Sequence, residues 1–183
     1  MEITRKSILI ALVALATITG CKKTEPDPVE DNENLTTVKL KFTSGSTTST
    51  FTVKDLDGLG GTSATSDKIS LKPNTNYTMA VEILDESKTP ASIISNDIFD
   101  ERDQHIFKYV STPPAVLAIT TTDKDSRGLP VGLTADAKTG AAGTGKLQVV
   151  LYHHPPVNGK TVKDGTFGVG SVDFDVTFDV EVK

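Results

Sequence analysis

Val172-Asp173-Phe174-Asp175-Val176-Thr177-Phe178-Asp179-Val180-Glu181-Val182 is the most telling stretch of the chain. Apolar residues occupy every second position, and carboxylates and a threonine fill the places between. Successive side chains of an extended strand point to opposite faces, so a period of two means one face in a core and one in water. A helix would scatter the same residues around its circumference. The run therefore predicts a long half-buried strand with Val172, Phe174, Val176, Phe178, Val180 and Val182 turned inward together.

The same rhythm recurs upstream. Thr37–Thr43 alternates through Val38, Leu40 and Phe42, Thr50–Lys54 through Phe51 and Val53, and Asn76–Leu84 through Tyr77, Met79, Val81 and Ile83. Shorter candidates are 67–71, 106–110, 115–120, 131–137 and 146–152. About nine strands parted by Gly, Pro, Asn and Asp turns predict an all-β, immunoglobulin-like antiparallel β-sandwich over residues 35–183, as a single domain. A span of that length buries a sufficient core without disulfides. The chain has no Trp and one Cys, so it departs in detail from antibody-type domains. One segment breaks the pattern. Thr89-Pro90 reads as an N-cap with proline at the first helical position, and Ala91, Ile94 and Ile98 follow at helical spacing. These predict one short helix over about 90–103, inserted between two strands.

The N-terminus reads differently. Arg5 and Lys6 precede the apolar run Ile8–Ile18, which is too short for a spanning helix of roughly 20 residues. Ile18-Thr19-Gly20-Cys21 then resembles the lipobox of bacterial lipoproteins: an aliphatic residue, two small ones and a cysteine. That resemblance implies a signal peptide over 1–20. It also implies a diacylglycerol on the Cys21 thiol, cleavage before Cys21 and acylation, such as palmitate, of the new amine. Cys21 is the only cysteine, so it has no disulfide partner within the chain. Several acyl chains anchor stably where one binds marginally. Residues 22–34 carry five acids, two prolines and no aromatic residue, which predicts a disordered acidic tether of at most about 45 Å.

Cleavage would remove Glu2, Arg5 and Lys6. The 19 basic and 24 acidic residues of the full chain become 17 and 23, a net charge of −6. An acidic domain without a basic cluster is a poor nucleic-acid binder. It has little attraction for anionic headgroups, which leaves membrane attachment to the lipid.

Few residues carry a chemical signal. Gly140-Ala-Ala-Gly-Thr-Gly145-Lys146 fits the start of a phosphate-binding loop. However, Leu147 stands where Ser or Thr must hold magnesium, and the following residues read as a strand rather than a helix. Asp55-Leu-Asp57-Gly58 and Asp123-Lys-Asp125-Ser-Arg127-Gly128 place alternate carboxylates before a glycine, as calcium loops do. Asp55, Asp57, Asp123 and Asp125 are thus candidate Ca²⁺ ligands. Both loops lack a third carboxylate, and Asp and Gly are also ordinary turn residues. His105, His153 and His154 are the chain's three histidines. His153 and His154 should face opposite ways on a strand, so a metal or haem iron would take His105 with one of them, and Asp103 or Glu101 is a candidate further ligand. No Gly-x-Ser-x-Gly elbow, His-Glu-x-x-His pattern or Cys–His pairing occurs, and the expectation is a non-enzymatic protein without a resident cofactor, calcium apart.

Taken together, the lipobox, the acidic tether and a series of segments resemble a group of small envelope lipoproteins of Bacteroidota, especially flavobacteria. The segments are Leu35-Thr-Thr-Val-Lys-Leu-Lys-Phe42, Lys54-Asp-Leu-Asp-Gly58, Val81-Glu-Ile-Leu-Asp-Glu-Ser-Lys-Thr-Pro90, Asp103-Gln-His-Ile-Phe107, Thr122-Asp-Lys-Asp125, Gly128-Leu-Pro-Val-Gly-Leu133, Thr139-Gly-Ala-Ala142 and Val150-Leu-Tyr-His153. The resemblance covers nearly all of residues 21–183. Such proteins often bear the label of a type 1 periplasmic binding fold. That fold is two α/β lobes with strand–helix alternation, which this chain lacks. The resemblance implies residence in the outer membrane, facing either the periplasm or the cell surface. Lys22-Lys23-Thr24-Glu25 lacks the consecutive acids that, in such bacteria, route lipoproteins outward. The expected role is a lipid-anchored module binding a protein or glycan partner. The alternative expectation is a metal- or haem-capturing lipoprotein using His105 with His153 or His154.

Overall fold

A computed structural model describes residues 34–56, 58, 64–168 and 170–183. The expected signal peptide over 1–20, Cys21, nearly all of the expected tether and Asp57 lie outside the described residues. Residues Asn32–Lys183 form one unit.

Among the described residues the strands are β1 (Thr37–Ser44), β2 (Thr47–Lys54), β3 (Thr65–Ser66), β4 (Ile69–Leu71), β5 (Asn76–Asp85), β6 (Ser92–Ile93), β7 (His105–Thr112), β8 (Leu117–Thr121), β9 (Thr134–Thr139), β10 (Gly143–His153) and β11 (Ser171–Val182). The helix α1 (Ile94–Asp100) lies between β6 and β7. One sheet runs β3-β2-β1-β5-β9-β8, with β6 on the end of β5; the other runs β4-β11-β10-β7. Both are open sheets packed as an all-β sandwich. The pairs are antiparallel except β4 beside β11, which is parallel.

Alternation explains the core. Val38, Leu40 and Phe42 of β1 and Tyr77, Met79, Val81 and Ile83 of β5 turn inward from the first sheet. Leu147, Val149 and Leu151 of β10 and Phe174, Val176, Phe178, Val180 and Val182 of β11 meet them from the second. Each such side chain, fully buried, contributes roughly 1.5–3 kcal/mol from apolar transfer. On the wet face of the second sheet, Lys146 pairs with Asp179 at 2.7 Å and the Gln148 amide donates to Asp175 at 2.9 Å. Gly45, at φ +59°, opens the two-residue hairpin between β1 and β2 in a conformation that L side chains disfavour.

All nine expected strands form, and the differences from expectation are local. The two-residue β3 and β6 are too short to leave a period. β9 starts at Thr134; ahead of it Val131 O accepts the Phe107 N–H of β7 at 2.7 Å and Leu133 O accepts the Val81 N–H of β5 at 2.9 Å. The helix is shorter than 90–103, and Pro90 is not its first residue. Ser92 and Ile93 remain extended, paired with Asp85 and Leu84, so the turn begins only at Ile94. Ile94 and Ile98 are buried as their spacing requires, while Ile93 and Phe99 are exposed. Val172 is the exception in the long strand, being 52% exposed. Leu151 faces Phe174, but its neighbour Tyr152 faces Val172, so Asp173 is an extra residue in a β-bulge.

The glycine-rich turn before β10 is a tight packing point with no helix behind it. A β-carbon on Gly140 would come within 2.0 Å of the Ala115 carbonyl oxygen. Gly140→Ala must therefore move backbone. It should destabilise by more than the roughly 1 kcal/mol scale of conformational glycine effects, read as a fall in urea midpoint. An unchanged midpoint would show that the turn relaxes freely.

Candidate functional site

Three connections converge at one end of the sandwich: the turn 101–104 between α1 and β7, the loop 122–133 between β8 and β9, and the loop 154–170 between β10 and β11. The Asp103 carboxylate accepts from the Ser126 N–H and hydroxyl at 2.9 and 2.6 Å, which ties the first to the second. The Lys163 ammonium sits 3.1 Å from Asp125 Oδ2 and donates to Arg102 O at 2.9 Å, which ties the third to both. The Tyr109 hydroxyl donates to Gly132 O and pins the second loop to β7.

Inside this frame β7 and β10 begin and end on a histidine each. His105 and His153 are paired across the two strands, and their rings stack at 4.5 Å with planes 10° apart. His105 is buried and His153 half-buried. The His105 Nδ1 lies 3.2 Å from Glu101 O. A carbonyl oxygen only accepts, so Nδ1 carries the proton and the neutral ring keeps its lone pair on Nε2. Burial, then the neighbouring His153, lowers the His105 pKa to about 4, so the ring is neutral at pH 7. The His153 Nε2–H donates to the Gln104 amide oxygen at 3.3 Å. Among the described residues, Glu101, His105 and His153 form the one group whose potential ligand atoms, one from each of three residues, lie within 4.8 Å of one another. Asp173 Oδ2 stands 3.8 Å from His105 Nε2.

His154 goes elsewhere, as strand alternation requires. Its ring is fully buried on the Tyr152 side, under the 154–170 loop, and its backbone N–H donates to Gln104 O at 2.7 Å. Neither ring nitrogen has a hydrogen-bond partner, and burial lowers its pKa. His154 therefore does not join His105.

Among the described residues the Asp123–Asp125 loop does not assemble as a calcium cage, and the Asp55 loop lies partly outside them, Asp57 included. Asp123 Oδ1 and Oδ2 accept the Gly132 and Leu133 N–H groups at 2.8 and 2.9 Å. Asp125 Oδ1 accepts the Arg127 and Leu129 N–H groups, and its Oδ2 faces Lys163. An ammonium already holds the position a cation would take, and the remaining oxygens serve to close the turn. Ca²⁺ needs six to eight oxygens, and these two carboxylates are turn-forming instead. Asp55 is buried at the end of β2, its N–H on Thr36 O at 2.7 Å. Of the two carboxylates the sequence offered beside His105, Glu101 joins the histidine group and Asp103 is taken by Ser126, while no signal in the sequence marked Lys163 or Asp173, which reach the site through tertiary pairing.

No family model, no curated protein and no solved structure matches the chain. The site therefore rests on its own geometry. A separate feature of the fold is a groove of about 740 Å³ on the first sheet, lined by polar groups that include Thr43, Asn76, Thr78, Thr120, Asp136 and Lys138.

Proposed function

We propose that this protein is an envelope lipoprotein, anchored to the outer membrane through Cys21, that captures a divalent transition metal ion between His105 and His153. The observation that carries the metal reading is the stacked pair of His105 and His153 with Glu101 beside it. Imidazole suits Zn²⁺, Cu²⁺ and Ni²⁺, whereas Ca²⁺ and Mg²⁺ prefer oxygen. A ligating histidine commonly donates its second nitrogen to a carbonyl or carboxylate, which orients the ring and raises its basicity, as Glu101 O does for His105. Anchoring is supported by the apolar run Ile8–Ile18 followed by Ile18-Thr19-Gly20-Cys21. The kinship with small Bacteroidota lipoproteins belongs to the same proposal. The role is binding, not turnover.

Haem fits less well than a bare ion. Axial ligands of a haem approach the iron from opposite sides, while imidazoles on neighbouring strands project side by side.

Calorimetric titration of the purified protein with Zn²⁺ tests the reading. One saturable site per chain is expected, absent with Ca²⁺ and weakened by at least about 100-fold in His105→Ala and in His153→Ala, more than the usual outer-shell effect. At about 100 times its dissociation constant the ion should add about 2.7 kcal/mol and raise Tm by several degrees. No Zn²⁺, Ni²⁺ or Cu²⁺ binding would sink the metal reading and turn attention to a polar ligand, such as a glycan, in the groove.

A further inference from the structure

On most of the sandwich's wet surface, polar side chains bond to a neighbour across the strands. On the first sheet Glu82 takes Lys39 and Lys41 at 3.3 and 2.6 Å, and Glu86 takes Lys54 at 2.6 Å. On the second, Asp179 takes Lys146 and Asp175 takes Gln148. The groove beside the β1–β2 hairpin is built otherwise. Asp136 of β9 lies directly opposite Thr78 of β5 and Thr120 of β8. Two residues along, Lys138 lies opposite Asn76 and Ala118. Opposite residues have β-carbons about 4.5–5.5 Å apart, whereas i, i+2 neighbours along one strand are about 7 Å apart. Across the strands, then, no cation faces Asp136 and no carboxylate faces Lys138. Asn76, Thr78, Thr120, Asp136 and Lys138 are all exposed, and among the described residues their side chains make no hydrogen bond or ion pair within the protein.

We infer that this groove binds a neutral oligosaccharide, with Asp136 as its central acceptor, Lys138 and Asn76 as donors, and the Thr78 and Thr120 hydroxyls serving either way. A sugar hydroxyl both donates and accepts, so it needs partners of both kinds, and a carboxylate can accept one hydroxyl on each oxygen. One carboxylate and one ammonium balance, which suits an uncharged ligand. An anionic sugar or a phosphate would meet Asp136 in the middle of the floor. The groove offers no imidazole or thiolate to a transition metal. An apolar ligand would leave its polar groups without partners. Short side chains, with Gly45 and Ala118 among them, leave a volume of about 740 Å³, inside the roughly 300–1,000 Å³ of small-molecule sites. Tyr77 lines the groove but is buried, and its hydroxyl accepts the Lys72 N–H at 3.0 Å. No aromatic face is therefore offered for stacking, and hydrogen bonds carry the affinity. A free polysaccharide chain and a glycan carried on another protein share this chemistry. The groove shares no residue with the histidine group, so neither reading depends on the other. An ordinary solvated face would carry the same residues without holding a sugar, and a titration separates the two.

Amide ¹H–¹⁵N NMR spectra of the purified protein would be followed with each sugar up to about 10 mM, tenfold above a millimolar Kd. The probes are cellotetraose, mannotetraose and N-acetylchitotetraose as polysaccharide fragments, a high-mannose protein glycan, and tetragalacturonate as an anionic control. At least one neutral sugar should shift the amides of Thr78, Thr120, Asp136 and Lys138 saturably, and tetragalacturonate should not. Response to the fragments or to the high-mannose glycan identifies the source. Asp136→Ala should lose at least about 10-fold in affinity, the scale of a lost hydrogen bond to a charged group. Asp136→Asn, which keeps one acceptor oxygen, should lose less. Asp179→Ala, on the other sheet, should stay within about twofold of wild type. His105→Ala should bind the sugar as wild type does, whatever becomes of Zn²⁺ binding. The inference is overturned by no saturable shift with any neutral sugar, by shifts that map outside the groove, or by equal binding of tetragalacturonate. Wild-type affinity in a folded Asp136→Ala protein overturns it too. If that variant fails to fold, unchanged affinity in Asp136→Asn does the same.

Discussion

Lys163→Met should cost about 3–5 kcal/mol of folding stability, the usual penalty for stranding one member of a buried ion pair. Both side chains are fully inaccessible, with Nζ 3.1 Å from Asp125 Oδ2. Burial lowers the Lys163 pKa and Asp125 works against that. Burial works to raise the Asp125 pKa, but the Leu129 N–H, Lys163 and the Arg127 N–H outweigh it and hold the carboxyl below its ordinary range. The ammonium is held in place from two sides, since Arg102 O takes another of its hydrogens. Removing the lysine leaves a carboxylate in the interior with two loop N–H groups on Oδ1 and the half-exposed Arg127 guanidinium at 3.7 Å from Oδ2. Urea unfolding should show the loss as a lower midpoint at unchanged slope, and Tm should fall by roughly 6–20 °C. Adding Asp125→Asn should recover part of the loss. The amide oxygen can still accept the two loop N–H groups, and no charge is stranded. A loss under about 1 kcal/mol in Lys163→Met would mean the 154–170 loop opens to water instead of staying closed.

Acidification should weaken the metal-free protein well before its carboxylates titrate. His105 has a folded pKa of about 4 against an unfolded value near 6.5. Between those values the unfolded chain binds a proton that the folded chain refuses. Stability therefore rises with pH across that window and falls as pH drops through it. The 2.5-unit gap is worth about 3 kcal/mol from His105 alone. His154, also lowered by burial, adds a contribution of the same sign. The carboxylates held low, Asp125 and Asp103 among them, contribute stability present above their unfolded pKa near 3.9 and lost below it, so they act in a more acid range. Urea midpoints at pH 7 and pH 4.5 should differ strongly in wild type and much less in His105→Leu. Equal slopes in the two proteins would mean that His105 is solvated and charges freely.

How much of this was readable beforehand depends on the range of the interactions. The strand cores were legible because period-two alternation is a local property, and Val38, Leu40, Phe42 and Phe174 through Val182 are buried where the pattern puts them. Ile94 and Ile98 likewise marked a helical face. The helix start was misread because Thr89-Pro90 is a local signal, while Ser92 and Ile93 obey a partner strand distant in sequence. Val172 and Asp173 were misplaced because nothing within β11 announces a bulge. It arises from the register against β10.

The functional residues divide in the same way. That His153 and His154 point apart follows from the pleat, and the sequence by itself determined it. It also determined the all-β class and the acidic charge of the chain. The convergence of His105, His153, Glu101 and Asp173 at one end, and the use of Asp125 as the counter-ion of Lys163 instead of a calcium ligand, were decided only by the tertiary structure. The physical reason is that side-chain periodicity is set by each residue's own backbone, whereas which strand ends lie side by side, and in what register, is set by how two sheets and three connecting loops bury a common core.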